Sequence, residues 1–483
     1  MGKILILILA LLSIKTYSQD DYQKWLEKEN QKLNNYISEE DKKFVNFLKK
    51  EWIKAELQES RKLIVKPKPI APVVFKVEKT DDAQNYNFTE SDKTKASEKV
   101  KKELPPEGKK INYASDLKEA NSTIKNFRFL GTELSFNYKN ETGLRVSKPV
   151  SNKSVAEAWE ILSKSDYKNI LDQTNVISEK LKLNDWGYAN LLYEFSKQLF
   201  ADKNLRKIYT WFMLVKSGYF SRVAYKDDDI FVLVLTKEDI FSQPFFTIDN
   251  KKYYVIDFEN RVNSKISSVH IYKDDFPGLT KSISLEIKQP PLIDSNTKTR
   301  KFVFQYLNTK YEYFLTFKEG IINYYFNYPQ IDIDIYSKAE FSCDDNKVTL
   351  SKLKADIKDM SEGNALNFLL HFVQQVTEYK TDDEQFGFEK PLFPEESFYY
   401  SYSDCEDRSI LFSFLVKNIL KNEVILLDYP DHIATAVKID GVSGDKINYL
   451  GKDYLICDPT YLGADIGMCM PNYKNVSASI LGQ

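Results

Sequence analysis

The stretch from Ser403 to Asp458 constrains the chain more than any other, because it reads as helix, strand, strand with a chemically capable side chain at one end of each. From Ile410 the run Ile-Leu-Phe-Ser-Phe-Leu-Val-Lys-Asn-Ile-Leu has the apolar density of a buried helix. Ser403 and Glu406 match the S-x-x-E capping box that marks a helix N-terminus, so Cys405 falls in the first turn. Unpaired backbone N–H groups and the positive end of the helix dipole favour an anion there, and hence a thiolate. His432 opens the β-branched run His-Ile-Ala-Thr-Ala-Val, and Asp458 closes Tyr-Leu-Ile-Cys-Asp just before Pro459. If the two strands pair and the helix packs on them, a nucleophile, a base and a carboxylate that orients the base converge.

These residues carry a resemblance. The texts DCEDRS, YPDHIATAV and YLICDPTY, in the order Cys, His, Asp, resemble the transglutaminase-like superfamily of papain-fold thiol enzymes, in particular bacterial transglutaminase-like cysteine proteins, over roughly residues 350–483. The resemblance implies a helix-plus-antiparallel-sheet core with Cys405 as nucleophile, His432 as general base and acid, and Asp458 as the orienting carboxylate. The superfamily includes cross-linking acyl transferases, deamidases, peptidases and members without activity, so the reaction stays open at this point. The fold class expected is a multidomain α+β chain, with the transglutaminase-like unit preceded by a β-rich domain and an α/β domain.

Composition narrows the function. With 68 Lys and Arg against 70 Asp and Glu interleaved along 483 residues, there is no basic field for nucleic acid, which is excluded as a partner. Residues 4–14 are uncharged, follow Lys3 and precede small and polar residues, the layout of a secretory signal peptide of residues 1–18. Its removal would take the formal charge from −2 to −4, since Lys3 and Lys15 leave with no acid. No later stretch suits a membrane span, and an exported protein of the periplasm, cell surface or medium is expected. The four cysteines, Cys343, Cys405, Cys457 and Cys469, are too few for a disulfide scaffold in so long a chain. Cys343, Cys457 and Cys469 read as buried apolar thiols, with a Cys457 to Cys469 bridge left open. Without CxxC or zinc-type His/Cys spacing, no metal or cofactor is expected.

Along the chain, residues 19–65 carry apolar residues at helical spacing amid Lys and Glu, an amphipathic helix packing on a neighbouring domain. Residues 66–110, with Pro67, Pro69, Pro72, Pro105 and Pro106 amid charged residues, read as a polar linker. An α/β domain spans 111–260: Phe127 to Tyr138 alternates as strands, and Ser154 with Glu157 caps the first of several helices. Inside it, Trp186 and the helix after it can be laid beside Cys405, and Leu214 to Tyr225 beside the turn from core helix to sheet. A degenerate transglutaminase-like copy and an unrelated α/β domain are equal readings of this match. Residues 261–346 show five strand-like runs, including Ser282 to Ile287, Ile321 to Phe326 and Ile331 to Tyr336, and are expected as a β-rich domain. The catalytic unit is then 347–483, with the loop 381–400 as one wall of its cleft.

Each site residue has a plainer reading: a buried structural thiol for Cys405, a strand-end surface residue for His432, a turn residue for Asp458. Taken together and in order, the three instead suggest an amide-directed thiol enzyme with a protein or peptide substrate and a thioester intermediate. Hydrolysis is preferred to cross-linking, and a non-catalytic binding scaffold on the same fold is the rival from another class. Asp404, Glu406, Asp407 and Arg408 read as caps and ion pairs of the helix start, and His371 as a satisfied core histidine.

Overall fold

The computed structural model describes residues 24, 39–50, 52–61, 123–139, 143–259 and 266–481. The expected signal peptide and the linker 66–110 lie outside them. Mixed α and β structure with several sheets forms two main units on a common core.

The C-terminal unit is a five-stranded antiparallel sheet in the order Lys446–Tyr449, Lys452–Cys457, His432–Val437, Val424–Tyr429, Ser479–Leu481. Helix Cys405–Leu415 precedes it in sequence and is buried over its whole length. Ile410 joins the large core shared with the N-terminal unit, while Leu411, Phe412, Phe414 and Leu415 join a second core under helix Glu362–Val376. From Ile410 on the helix is apolar on every side but at Ser413, and such a stretch has to be enclosed on every side.

The N-terminal unit contains a seven-stranded sheet whose central part repeats that arrangement. Its strands run Pro244–Ile248, Lys251–Ile256, Asp229–Leu235, Ser221–Lys226, Ser268–Ile271, every neighbouring pair antiparallel. Numbered by sequence, order and direction match the C-terminal sheet strand for strand. The helix that enters this sheet is Lys203–Lys216.

Several expectations need correction. Ser151, not Ser154, caps helix Asn152–Ser163, and Ser154 supplies the reciprocal bond. The amphipathic helix does not continue to residue 65: residues 39–48 are helical, after which Ile53–Glu56 and Gln58–Glu59 become edge strands of the first sheet. Packing on a neighbour is observed, with Phe44 edge-on to Trp159 at 4.7 Å and Lys216 paired with Asp41. Residues 266–346 do not make a sheet domain of their own. Ser268–Ile271 belongs to the first sheet, while the hairpin Thr297–Tyr306 and Thr309–Lys318 lays Phe302, Phe304 and Phe317 on the C-terminal core.

Two expected strands are helices, Glu319–Phe326 and Ile333–Tyr336, and Ser282 to Ile287 makes only an isolated bridge at Ile283. Tertiary burial overrides β propensity at Glu319–Phe326, where Ile321, Ile322, Tyr324 and Tyr325 are all enclosed. Tyr325 then stacks on Phe393 at 4.3 Å, Tyr336 packs tilted against it at 4.4 Å, and Tyr328 meets it edge-on at 5.4 Å. This aromatic hub joins the two units just behind the start of helix Cys405–Leu415.

Candidate active site

Cys405 is the first residue of its helix, with Asp404 as N-cap in extended conformation. The expected Ser403 and Glu406 box is displaced by one residue: the Asp404 amide donates to Asp407 Oδ2 at 3.3 Å. Serine loses the cap because its hydroxyl is engaged elsewhere, accepting from Arg408 Nε at 3.2 Å and pairing with Thr377 Oγ1. Arg408 also donates to the Thr377 carbonyl at 2.8 Å and lies 5.3 Å from the Tyr379 ring centroid. Asp407 takes the Leu392 amide at 2.7 Å, tying the 381–400 loop to the helix start.

His432 opens strand His432–Val437, the hairpin partner of Val424–Tyr429, and Asp458 follows the last residue of Lys452–Cys457. The register pairs Thr435 with Cys457, which brings both functional strand ends to one edge of the sheet. There His432 Nε2 meets Asp458 Oδ2 at 2.8 Å, while the Cys405 side chain hydrogen-bonds His432. The three residues singled out in sequence are therefore brought together. Thr460 N holds the other oxygen, Asp458 Oδ1, at 2.9 Å.

The site is closed. Cys405, His432 and Asp458 are 3%, 5% and 3% exposed, and Tyr473 stacks on the His432 ring at 5.0 Å, tethered through its hydroxyl to Asp431 at 2.9 Å. Burial disfavours the imidazolium, yet the Asp458 carboxylate and the Cys405 side chain outweigh it and hold His432 up at about 10. Cys405 Sγ also lies 3.1 Å from Glu406 Oε2.

The remaining sequence candidates take other places. His371 is buried and satisfied by Asp465 at 2.7 Å, and His270 stacks on Tyr225 in the first sheet. Cys343, Cys457 and Cys469 are free buried thiols, so Cys457 and Cys469 form no bridge. Asp404, Glu406, Asp407 and Arg408 are caps and buried partners, each at most 5% exposed.

Trp186 does not stand where Cys405 stands. It lies in helix Asp185–Leu199, one helix too early, stacked on Phe258 at 5.7 Å. Register identifies the true counterparts: Lys226 pairs Asp229 as Tyr429 pairs His432, and Val232 pairs Ile256 as Thr435 pairs Cys457. Asp229 thus occupies the histidine position and Asp257 the Asp458 position. At the start of the corresponding helix, Lys203 and Arg206 hold Glu259 at 3.0 and 2.6 Å. A carboxylate survives, the thiol and imidazole do not, and an ion-pair network occupies the place. Strand order was the missing signal, since apolar helix text alone slides by one helix.

Sequence reading also missed how acidic the helix start becomes. Asp382 and Glu389 arrive from the preceding loop to stand by Asp404, Glu406 and Asp407. Burial, reinforced by the neighbouring carboxylates, pushes Asp407 up to about 7 and Asp404 well above the usual carboxylate range. No family model, curated protein or solved structure compared with the chain matches it.

Proposed function

We propose that this chain is an exported thiol enzyme of the transglutaminase-like, papain-like type, cleaving an amide of a protein or peptide substrate through a thioester. The observation that carries the reading is the Cys405, His432, Asp458 chain of hydrogen bonds at one sheet edge. Asp458 engages Nε2, which leaves Nδ1 as the nitrogen that exchanges a proton with Sγ. The Asp458 contact fixes the ring and favours its charged form. In the forward step Sγ bonds to the carbonyl carbon, and the C–N bond breaks as the imidazolium gives its proton to the leaving amine. Water, deprotonated by the neutral imidazole, then attacks the thioester and returns the thiol. The backbone N–H groups of the first helical turn, which have no intrahelical partner, are the donors available to a developing oxyanion. With Tyr473 roofing His432, substrate entry requires that ring to move aside. Hydrolysis is the favoured outcome because water is the abundant acceptor for an exported enzyme.

The test is thiol alkylation of the mature protein from pH 4 to 9, with peptide mapping, for wild type and His432→Ala. Cys405 is expected to label well below pH 8.5, the range of an ordinary thiol, and His432→Ala to slow that labelling about tenfold or more. Cys343, Cys457 and Cys469, whose thiols burial pushes upward, serve as internal controls. A Cys405 that stays inert, or that labels without regard to His432, overturns the catalytic reading in favour of a binding scaffold.

A further inference from the structure

Of the three residues at the candidate site, Asp458 alone lies outside helix and strand. Cys405 opens a helix and His432 a strand, whereas Asp458 follows the last residue of strand Lys452–Cys457 and stands before Pro459. Its carboxylate is therefore placed by the turn it opens. Thr460 N donates to Asp458 Oδ1 at 2.9 Å, the bond an aspartate makes two residues on, and Tyr461 N donates to the Asp458 carbonyl at 3.2 Å. A turn that runs straight into a loop holds its geometry only as well as that loop is held.

The loop is gripped from helix Glu362–Val376. Asn367, His371 and Gln374 stand four and then three residues apart, so they share one face of that helix. The Ile466 amide donates to Asn367 Oδ1 at 2.8 Å, and His371 Nε2 meets Asp465 Oδ1 at 2.7 Å. These two contacts hold the far end of the loop. Gln374 holds the end next to Asp458: its Nε2 donates to the Tyr461 and Ala464 carbonyls at 3.0 and 3.1 Å, and its Oε1 accepts the Gly463 amide at 3.1 Å. Ala464 N also donates to the Tyr461 carbonyl at 3.1 Å, so one side chain fastens both ends of a single turn. Gln374 is 4% exposed on a helix whose other buried residues are nearly all apolar. A buried primary amide is costly unless its bonds are made, and here three of its four are made, all to the backbone of this turn.

We propose that Gln374 is a positioning residue for Asp458, which sets, through the turn from Tyr461 to Ala464, the carboxylate that orients His432. The inference rests on the catalytic reading given above. Gln374 touches no reacting atom. It fixes the peptide that follows Thr460, and Thr460 N fixes Asp458 Oδ1, which leaves Oδ2 aimed at His432 Nε2 at 2.8 Å. Productive constellations tolerate a misplacement of only about 0.5 Å. Once the turn slackens, the imidazolium loses its well-aimed partner and the Cys405 thiolate its counter-charge.

The test is the pH profile of Cys405 alkylation in the full chain, with peptide mapping and a thermal midpoint, for wild type, His432→Ala, Gln374→Met, Gln374→Glu and Asn367→Ala. Methionine keeps the length of the side chain and removes its polar contacts; glutamate keeps an acceptor for Gly463 and turns an oxygen toward the two carbonyls. Both Gln374 variants are expected to slow Cys405 labelling at pH 6 about threefold or more and to move the profile to the alkaline side. Asn367→Ala, which frees the far end of the same loop, is expected to lower the midpoint and leave the profile where it is. Should Gln374→Met lack the wild-type near-ultraviolet circular dichroism, Gln374→Glu is read in its place. Gln374 variants that label along the wild-type profile overturn the proposal even if their midpoints fall, since the glutamine then only packs. A profile moved equally by Asn367→Ala also overturns it, because any loosening of the loop would suffice. If wild-type labelling itself ignores His432→Ala, the catalytic reading fails and the positioning role with it; if only the Gln374 variants leave labelling unmoved, the positioning role fails alone.

Discussion

His432 concentrates the electrostatics of the candidate site in one ring. Its folded-state value of about 10 stands above the ordinary 6.5, so the folded protein holds the proton more tightly than the unfolded chain does. The stability this contributes is complete below about pH 6.5 and is lost as pH rises through about 10. Denaturant midpoints measured from pH 6 to 10.5 are therefore expected to fall on the alkaline side in wild type. In His432→Ala the fall should be shallower; an equal slope in both would mean that Asp458 does not stabilise a charged imidazole. At this scale much was legible, because Cys405, His432 and Asp458 each sit at an element end marked by local text. The acidic surroundings were not. Asp382 and Asp404 are far apart in sequence and meet only through the fold of the loop between them, and no local spacing rule reports such a meeting.

Elements tell the opposite story at Glu319–Phe326. Isoleucine, tyrosine and phenylalanine in a row favour a strand on propensity, and the chain is a helix because packing decides. The decisive residue is Gly320. A β-carbon built there would come 1.9 Å from the Leu130 carbonyl oxygen and 2.7 Å from Ile293 Cγ2, so the helix can approach the hairpin Thr123–Phe129 and Thr132–Tyr138 only without a side chain. Gly320 also donates its amide to Ser295 Oγ at 2.9 Å, which fixes the approach. Because the nearest atom is backbone, it cannot rotate away. Gly320→Ala is expected to cost about 1–3 kcal/mol or more through overpacking, despite the better helix propensity of alanine. Urea unfolding checks this, and a stability equal to or above wild type would mean that the hairpin yields. Such a glycine is silent in sequence, since its requirement comes from residues about 190 positions upstream and a loop before it. The alternation of Ile331 to Tyr336 misled for a related reason: six residues permit either period, and Ile333 and Tyr336 bury at helical spacing.

At the scale of the molecule, the repeated sheet explains both what the chain carries twice and why it does not divide neatly. The two antiparallel sheets share strand order and register, yet Asp229 and the Lys203, Arg206 and Glu259 network replace imidazole and thiol in the first. The first unit therefore carries an ion-pair network at the positions that hold the thiol and imidazole in the second. Its core runs without interruption into the C-terminal unit, taking in Cys405, Ile410, Leu426 and Ile433 on one side and Trp159, Trp186 and Trp211 on the other. The reverse face of the C-terminal unit is covered by the hairpin Thr297–Lys318, whose Phe304 meets Phe368 and Phe372 edge-on at 4.9 and 5.4 Å. A boundary at residue 347, natural from sequence, cuts that hairpin away from helix Glu362–Val376 and separates Tyr325 and Tyr336 from Phe393. A fragment of residues 347–483 should thus expose the undersides of helices Glu362–Val376 and Cys405–Leu415 together, and bury too little to hold its fold. A fragment that begins at residue 293 restores Phe302, Phe304, Phe317, Tyr325 and Tyr336, and should regain far more near-ultraviolet circular dichroism and a sharper thermal transition. If the shorter fragment instead unfolds as cooperatively as the longer one, the hairpin is an ornament on an autonomous core, and the two units owe their junction to tethering rather than to shared burial.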